Sequence, residues 1–155
     1  MDYAEAPQGW QDMFSFTPMG MQQTQSYEGF RSKPYIDTKG KKTIGYGFNM
    51  TVDKNLPNQM TKQQAQPIFE QKYMNAIYEA QKYAGANWNA LNPQRQAILV
   101  DMAYNMGGGK LGEFKEMRKA IKTNNMQNVP VEMKDSDWYS QVGNRSKEHI
   151  KNWGK

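Results

Sequence analysis

Glu28 and Asp37 stand nine positions apart in the segment Glu28-Gly-Phe-Arg-Ser-Lys-Pro-Tyr-Ile-Asp37-Thr-Lys-Gly-Lys-Lys-Thr43-Ile-Gly-Tyr-Gly47, and the hydroxyl of Thr43 follows the second acid by six. Such a trio holds the parts needed to cut a glycosidic bond. One carboxylic acid protonates the leaving oxygen, while a second carboxylate on the other side of the sugar acts as base or nucleophile. A hydroxyl beside the second carboxylate can hold the attacking water. Spacing by itself favours two solvated surface charges, so the elements that carry these groups matter.

A first helix is predicted from about Met21 to Glu28, stopped by Gly29. It places Glu28 at a helix C-terminus. Tyr35 to Asp37 reads as a strand, residues 38–41 as a turn around Gly40, and Lys42 to Phe48 as the return strand. Gly45 and Gly47 leave room for a sugar chain to approach the backbone, a role compatible with serving the β geometry itself. Thr61 and Gln64 form a capping box, and apolar residues at 65, 68, 69, 73, 76, 77, 80 and 84 then give one stripe of a long helix. Pro67 inside it is expected to kink the helix. Asn92-Pro93 starts another helix, with Ala97, Ile98, Val100 and Met102 as its apolar face and an end at Gly107 to Gly109. Helices near 113–123, 130–141 and 144–153 complete a helical lobe. His149, in the run Ser-Lys-Glu-His-Ile-Lys, reads as an exposed surface histidine. Residues 1–20 mix Pro, Gly, Met and aromatics without a period. They form either a loosely packed extension or a docking segment, with Trp10, Phe14 and Phe16 as anchors.

Bulk composition narrows the field. A chain of 155 residues supports one domain with a real core, in two lobes but not two independent units. Charged residues at 23% and aromatics at 12% fit a folded globule. The net charge of +5 favours polyanions: nucleic acid, an anionic membrane, or the anionic polymers of a bacterial wall. No basic run interleaved with aromatics is present, so nucleic acid is disfavoured. Absence of cysteine excludes Cys-ligated metal, and a single histidine argues against a histidine zinc site or a His-dependent triad. No apolar run approaches the ~18 residues of a membrane span. The N-terminus shows no basic region followed by an apolar core, so no secretory signal is expected.

The order of the residues goes further than their spacing. The run from Glu28-Gly to Asp37-Thr, then Gly40 and Thr43-Ile-Gly-Tyr-Gly47, resembles the catalytic segment of the T-even phage endolysins, which are phage-type lysozymes. Leu99-Val-Asp-Met-Ala-Tyr-Asn-Met-Gly107 is similar to the helix that floors that family's cleft, and Trp138-Tyr-Ser-Gln-Val-Gly-Asn-Arg145 to its W-Y-x-Q-x-x-N-R motif. Thr61-Lys62 with Ala65, Ile68 and Phe69 fits the start of its long inter-lobe helix. The resemblance covers roughly residues 24 to 154.

It implies a lysozyme-like α+β fold: a single domain over 21–155, with a small β lobe (about 30–60) and a larger helical lobe (about 61–155) joined by a long helix. It also implies a muramidase that hydrolyses the β-1,4 bond between N-acetylmuramic acid and N-acetylglucosamine with inversion. Glu28 would be the general acid, Asp37 the base, and Thr43 the second holder of the water. Arg145 would lie against Glu28 and fix its rotamer. Tyr104 and Asn105 would lie beneath the cleft, Tyr104 either on a sugar ring or in the core, and Asn105 bonded to Glu28 or Arg145. Asn49 would bind an N-acetyl group, while Trp138 and Tyr139 would pack the helical lobe. Burial, the Asp37 charge and the helix C-terminus would raise the Glu28 pKa, and Arg145 would lower it, which leaves the balance open. Two residues depart from the family: Phe48 stands where histidine is common, and Asn105 where glutamine often stands. No cofactor or metal is implied. The implied partner is bacterial peptidoglycan, met by a monomer. That monomer would be released from the host cytoplasm to the wall at lysis through a holin pore, or carried on a phage virion. A lytic transglycosylase, and a non-catalytic wall-binding or virion structural module, are the rival readings. The Asp37–Thr43 pair argues against the first, since a positioned water serves only hydrolysis, and the full acid–base–hydroxyl set argues against the second.

Overall fold

The computed structural model describes residues 14–155. Its first helix, α1 (Thr17–Glu28), begins before the expected Met21. Pro18 in the first turn accounts for this, because its fixed φ suits a helix start and its missing N–H costs nothing there. Phe16 is fully buried, stacks on Phe14 with ring centroids 5.5 Å apart, and meets Trp88 edge-on at 6.1 Å. The described part of the supposed extension is therefore helix and core. Trp10 lies outside the described residues. Gly29, at φ 68°, closes α1 with its N–H on the Gln25 carbonyl at 2.9 Å, leaving Glu28 as the last helical residue.

Strands β1 (Arg31–Ile36), β2 (Lys42–Gly45) and β3 (Phe48–Asn49) form an antiparallel sheet in that order. The single return strand read from the sequence is split in two, because Gly45 and Gly47 both adopt positive φ and turn the chain between β2 and β3. Tyr35 pairs with Thr43, and Thr43 with Asn49. Directly opposed residues in a sheet point to the same face. These three side chains thus form one row.

The capping box of α2 (Lys62–Ala84) is reciprocal, with Thr61 and Gln64 each accepting from the other's backbone N–H. Helix α2 runs through Pro67 unbroken, and every position of the expected stripe is buried, with Tyr83 buried beside them. Helix α3 (Pro93–Met106) starts at Asn92, whose Oδ1 accepts the Arg95 N–H at 2.8 Å. Every residue from Gln96 to Ala103 is buried. So α3 is a central pillar rather than a one-faced helix, and α1 and α2 pack against it. The short α4 (Gly108–Leu111) follows, then α5 (Lys115–Lys122). Two helices, α6 (Val129–Lys134) and α7 (Asp137–Gln141), replace the expected single one. Ser136 takes extended backbone between them and caps α7 by accepting the Tyr139 N–H at 3.3 Å. Helix α8 (Asn144–Trp153) closes the lobe against α3 and α6.

Aromatic rings join the sheet to the helices. Tyr46 contacts Phe48 at 6.3 Å and Phe69 at 5.6 Å, and Phe69 contacts Tyr104 at 5.3 Å. Phe48 belongs to this cluster, with the Lys72 ammonium 5.7 Å from its ring. The whole is a lysozyme-like α+β fold. Among the described residues no helix is long and apolar enough to cross a membrane.

Candidate active site

A cleft of about 610 Å³ runs between the sheet and the helical lobe. Glu28, Asp37, Thr43, Asn49, Tyr104 and Asn105 all line it, and Arg145 lies directly behind Glu28. The seven residues singled out from the sequence are thus brought to one place.

Glu28 enters from the C-terminal end of α1. Its side chain is 14% exposed, and Oε1 accepts Arg145 Nη1 at 2.9 Å. A β-carbon on Gly47 would lie 2.4 Å from Oε2, so that glycine makes room for the carboxyl group. At Gly45 a β-carbon would meet the Phe48 ring at 2.5 Å. Both glycines make room for neighbouring side chains, and Gly47 also lines the cleft. Burial raises the Glu28 pKa, against the charge and hydrogen bond of Arg145, which lower it. The nearby Asp101 charge raises it further, and a hydrogen bond with Asn105 lowers it. Desolvation prevails, and the balance left open by the sequence falls on the side of a raised Glu28 pKa.

Asp37 sits in the β1–β2 turn. Its Oδ1 accepts the backbone N–H groups of Lys39 at 2.9 Å and Lys41 at 2.8 Å. This Asx-type turn pins the carboxylate while Oδ2 stays without a protein partner among the described residues. Thr43 is buried in β2 and donates its hydroxyl proton to the Lys41 carbonyl at 2.9 Å. Its oxygen is thereby left as an acceptor. Both groups are held by the same turn, with Lys41 bonded to each.

The supporting residues divide. Asn49 Oδ1 is taken by the Thr51 N–H at 2.9 Å and hydroxyl at 2.5 Å, which leaves only its amide N–H groups for a ligand. Tyr104 donates to the Tyr46 carbonyl at 2.7 Å and packs on Phe69, so it ties α3 to the β lobe while lining the cleft. Burial pushes its hydroxyl well above the usual range, with the Glu28 charge adding to this. Asn105 Oδ1 accepts the Trp138 indole N–H at 3.2 Å, and Trp138 itself is buried.

Three residues behind the cleft were not identified from the sequence. Asp101, in the middle of α3, accepts Arg145 Nε on Oδ2 and Nη2 on Oδ1, both at 2.8 Å, and the Thr24 hydroxyl on Oδ1 at 2.7 Å. His149 corrects the expectation of a surface histidine: it is fully buried, with Nε2 2.5 Å from Asp101 Oδ2. Trp138 stacks on it at 6.1 Å and Tyr27 meets it edge-on at 5.6 Å. The reason is helical geometry. Arg145 and His149 are four apart on α8, so they share a face, and that face turns toward α3. Burial works against the Asp101 charge, but the hydrogen bonds from His149 and Arg145 hold its carboxyl well below the usual range. A charge inside the apolar run Leu99-Val-Asp-Met-Ala was the signal that could have found this cluster, since a buried carboxylate requires partners. Among the described residues no group of three or more His, Asp or Glu is arranged to hold a metal ion.

Residues 25–151 match the family described as phage lysozyme, and the chain belongs to that family. It is 29% identical over 141 residues to the pre-baseplate central spike protein Gp5 of Enterobacteria phage T4, covering 77% of this chain and 24% of that protein. A probable T4-type lysozyme 2 of Dictyostelium discoideum is 25% identical over 143 residues, 77% of this chain and 84% of that one. Peptidoglycan hydrolase gp36 of Pseudomonas phage phiKMV is 25% identical over 142 residues, 91% of this chain and 15% of that one. The chain thus spans about a quarter of the spike protein and a smaller part of the gp36 hydrolase.

Proposed function

We propose that this chain is a peptidoglycan hydrolase, a muramidase that cuts the β-1,4 bond between N-acetylmuramic acid and N-acetylglucosamine with inversion. One observation carries the reading: the half-buried Glu28 carboxyl, oriented by Arg145, faces a cleft whose other wall holds an acid and a hydroxyl in one turn. Membership of the phage lysozyme family supports it.

Glu28 gives its proton to the glycosidic oxygen as the bond breaks. Arg145, held from behind, keeps the Glu28 carboxyl aimed into the cleft. A water donates one hydrogen to Asp37 Oδ2 and the other to the Thr43 oxygen, which is an acceptor because its own proton is committed to Lys41. The water's lone pair then points at the anomeric carbon, and Asp37 takes the proton as the new bond forms. In inverting glycosidases the two carboxyl groups stand about 6.5–9.5 Å apart to admit this water. Asn49 offers amide N–H groups to an N-acetyl carbonyl at the same wall. Delivery to the wall follows either release from the host cytoplasm at lysis or carriage on a virion. The likeness to part of a spike protein supports the second route.

The test is product analysis with variants. Intact protein should release reducing-end muramic acid of inverted configuration from purified peptidoglycan. Glu28→Gln should lose at least ~100-fold, the low end of a general acid's contribution. Asp37→Asn should abolish hydrolysis, and Thr43→Ala should weaken it less. Anhydro-sugar products would make the chain a lytic transglycosylase, and no release at all would make it a binding or structural module.

A further inference from the structure

The cluster behind Glu28 is the strongest feature not used by the chemistry above. Arg145 has five N–H groups. Two of them form a bidentate pair with Asp101, and one reaches Glu28. The Asp101 side chain is 1% exposed, so this pairing occurs away from solvent screening. Thr24 and His149 supply further donors to the same carboxylate. His149 Nδ1 is buried and has no hydrogen-bond partner among the described residues. The tautomer with its proton on Nε2 therefore suits the site, as that N–H points at Asp101.

An arginine bonded to a general acid presents a conflict. It orients the carboxyl group, but an unbalanced cation favours the ionised carboxylate and removes the proton that the reaction needs. We infer that Asp101 is a positioning residue for the reaction proposed above: it takes two N–H groups of Arg145, matches its charge, and so leaves Arg145 to orient Glu28 without stripping its proton. Thr24 and His149 hold Asp101 in the geometry for that task. Tyr35 from β1 and Tyr104 from α3 interact with the same carboxyl, and Asp37 from the β1–β2 turn with Lys72 and Glu79 from α2 line the same cleft. Asp101 differs from them in being bonded directly to the guanidinium that touches Glu28.

The inference rests on Glu28 being the acid, so its test reads the Glu28 carboxyl directly as well as the reaction. Asp101→Asn keeps the shape and removes the charge. The Glu28 carboxyl, followed by carbon-13 NMR titration in full-length protein, should titrate about one unit lower than in the wild type, the low end of the effect of a neighbouring charge. The alkaline limb of kcat/KM on soluble peptidoglycan fragments should move down with it, while KM changes little. A Glu28 midpoint that stays in place while the melting temperature falls would mean that Asp101 is structural only, and would overturn the inference. If the midpoint moves but the wild type cuts no peptidoglycan, the charge balance stands and the hydrolase reading fails. Should Asp101→Asn not fold, Asp101→Ser, which also removes the charge and keeps Arg145 in place, is titrated instead. Its Glu28 midpoint must fall in the same way, and an unchanged midpoint would refute the role.

Discussion

Gly47→Ala tests whether the position of the Glu28 carboxyl, rather than its presence, sets the rate. The new β-carbon would lie 2.4 Å from Glu28 Oε2 and 3.1 Å from its Cδ. The first distance is about 1 Å short of ordinary van der Waals contact, so the carboxyl group must move. It cannot retreat freely, because Oε1 is bonded to Arg145 at 2.9 Å and Arg145 is bonded to Asp101. A misplacement of ~1 Å in a reacting group can cost on the order of 100-fold. The backbone adds a separate cost. Position 47 has φ 76°, and a non-glycine residue there costs roughly 1–2 kcal/mol. For a chain of this size that lowers the melting temperature by roughly 2–8 °C. Gly85→Ala separates the two effects. Gly85 has φ 64°, and its nearest neighbour is the Lys122 side chain at 3.7 Å, away from the cleft. The assay is kcat/KM on soluble peptidoglycan fragments beside a thermal melt for each variant. Gly47→Ala should lose about 100-fold in rate, and Gly85→Ala should show a similar melt with a rate within about twofold of wild type. Equal rates in the two variants would show that Glu28 tolerates the displacement, and the positional argument would fail.

Glu28→Gln should melt at a higher temperature than wild type at neutral pH. The folded Glu28 pKa is raised above its ordinary 4.5, so the stability it contributes is present below that value and is lost as pH rises through the folded pKa. The gain of the variant should therefore shrink as pH falls toward and below 4.5; a constant gap across that range would contradict the raised pKa. Phe16→Ala should destabilise the fold by roughly 3–5 kcal/mol, since it empties a fully buried ring site against Phe14 and Trp88. A melt unchanged by that substitution would mean that the segment before α1 contributes no packing.

Local signals made much of the fold legible. The Thr61–Gln64 box, the stripe along α2 and the Asn92-Pro93 start each write a structural event within a few residues, and each appears where expected. The misses have a common origin. The start of α1 depended on Phe16 finding Trp88, more than seventy positions away, and no local pattern announces that contact. The split of the return strand turned on whether Gly45 and Gly47 tolerate or adopt positive φ, which only the Phe48 and Glu28 side chains behind them decide. The break between α6 and α7 rested on Ser136 capping one helix rather than continuing another, a choice a serine allows in either direction.

The candidate site divides along the same line. Glu28, Asp37 and Thr43 are joined by one helix end and one hairpin, so their order along the chain already described their neighbourhood. Arg145, 117 positions from Glu28, was reached only through a resemblance. Asp101 and His149 were reached by neither route, although both obey simple physics. A carboxylate cannot rest inside Leu99-Val-Asp-Met-Ala without partners, and the arginine four residues before a histidine on one helix offers two donors on one face. Taken together, those two facts pair α3 with α8 before any coordinates exist. They also bear on how an arginine can lie against a carboxyl whose pKa is raised: with its charge matched from behind by Asp101, Arg145 reaches Glu28 as an oriented donor, and desolvation outweighs its pull on the proton.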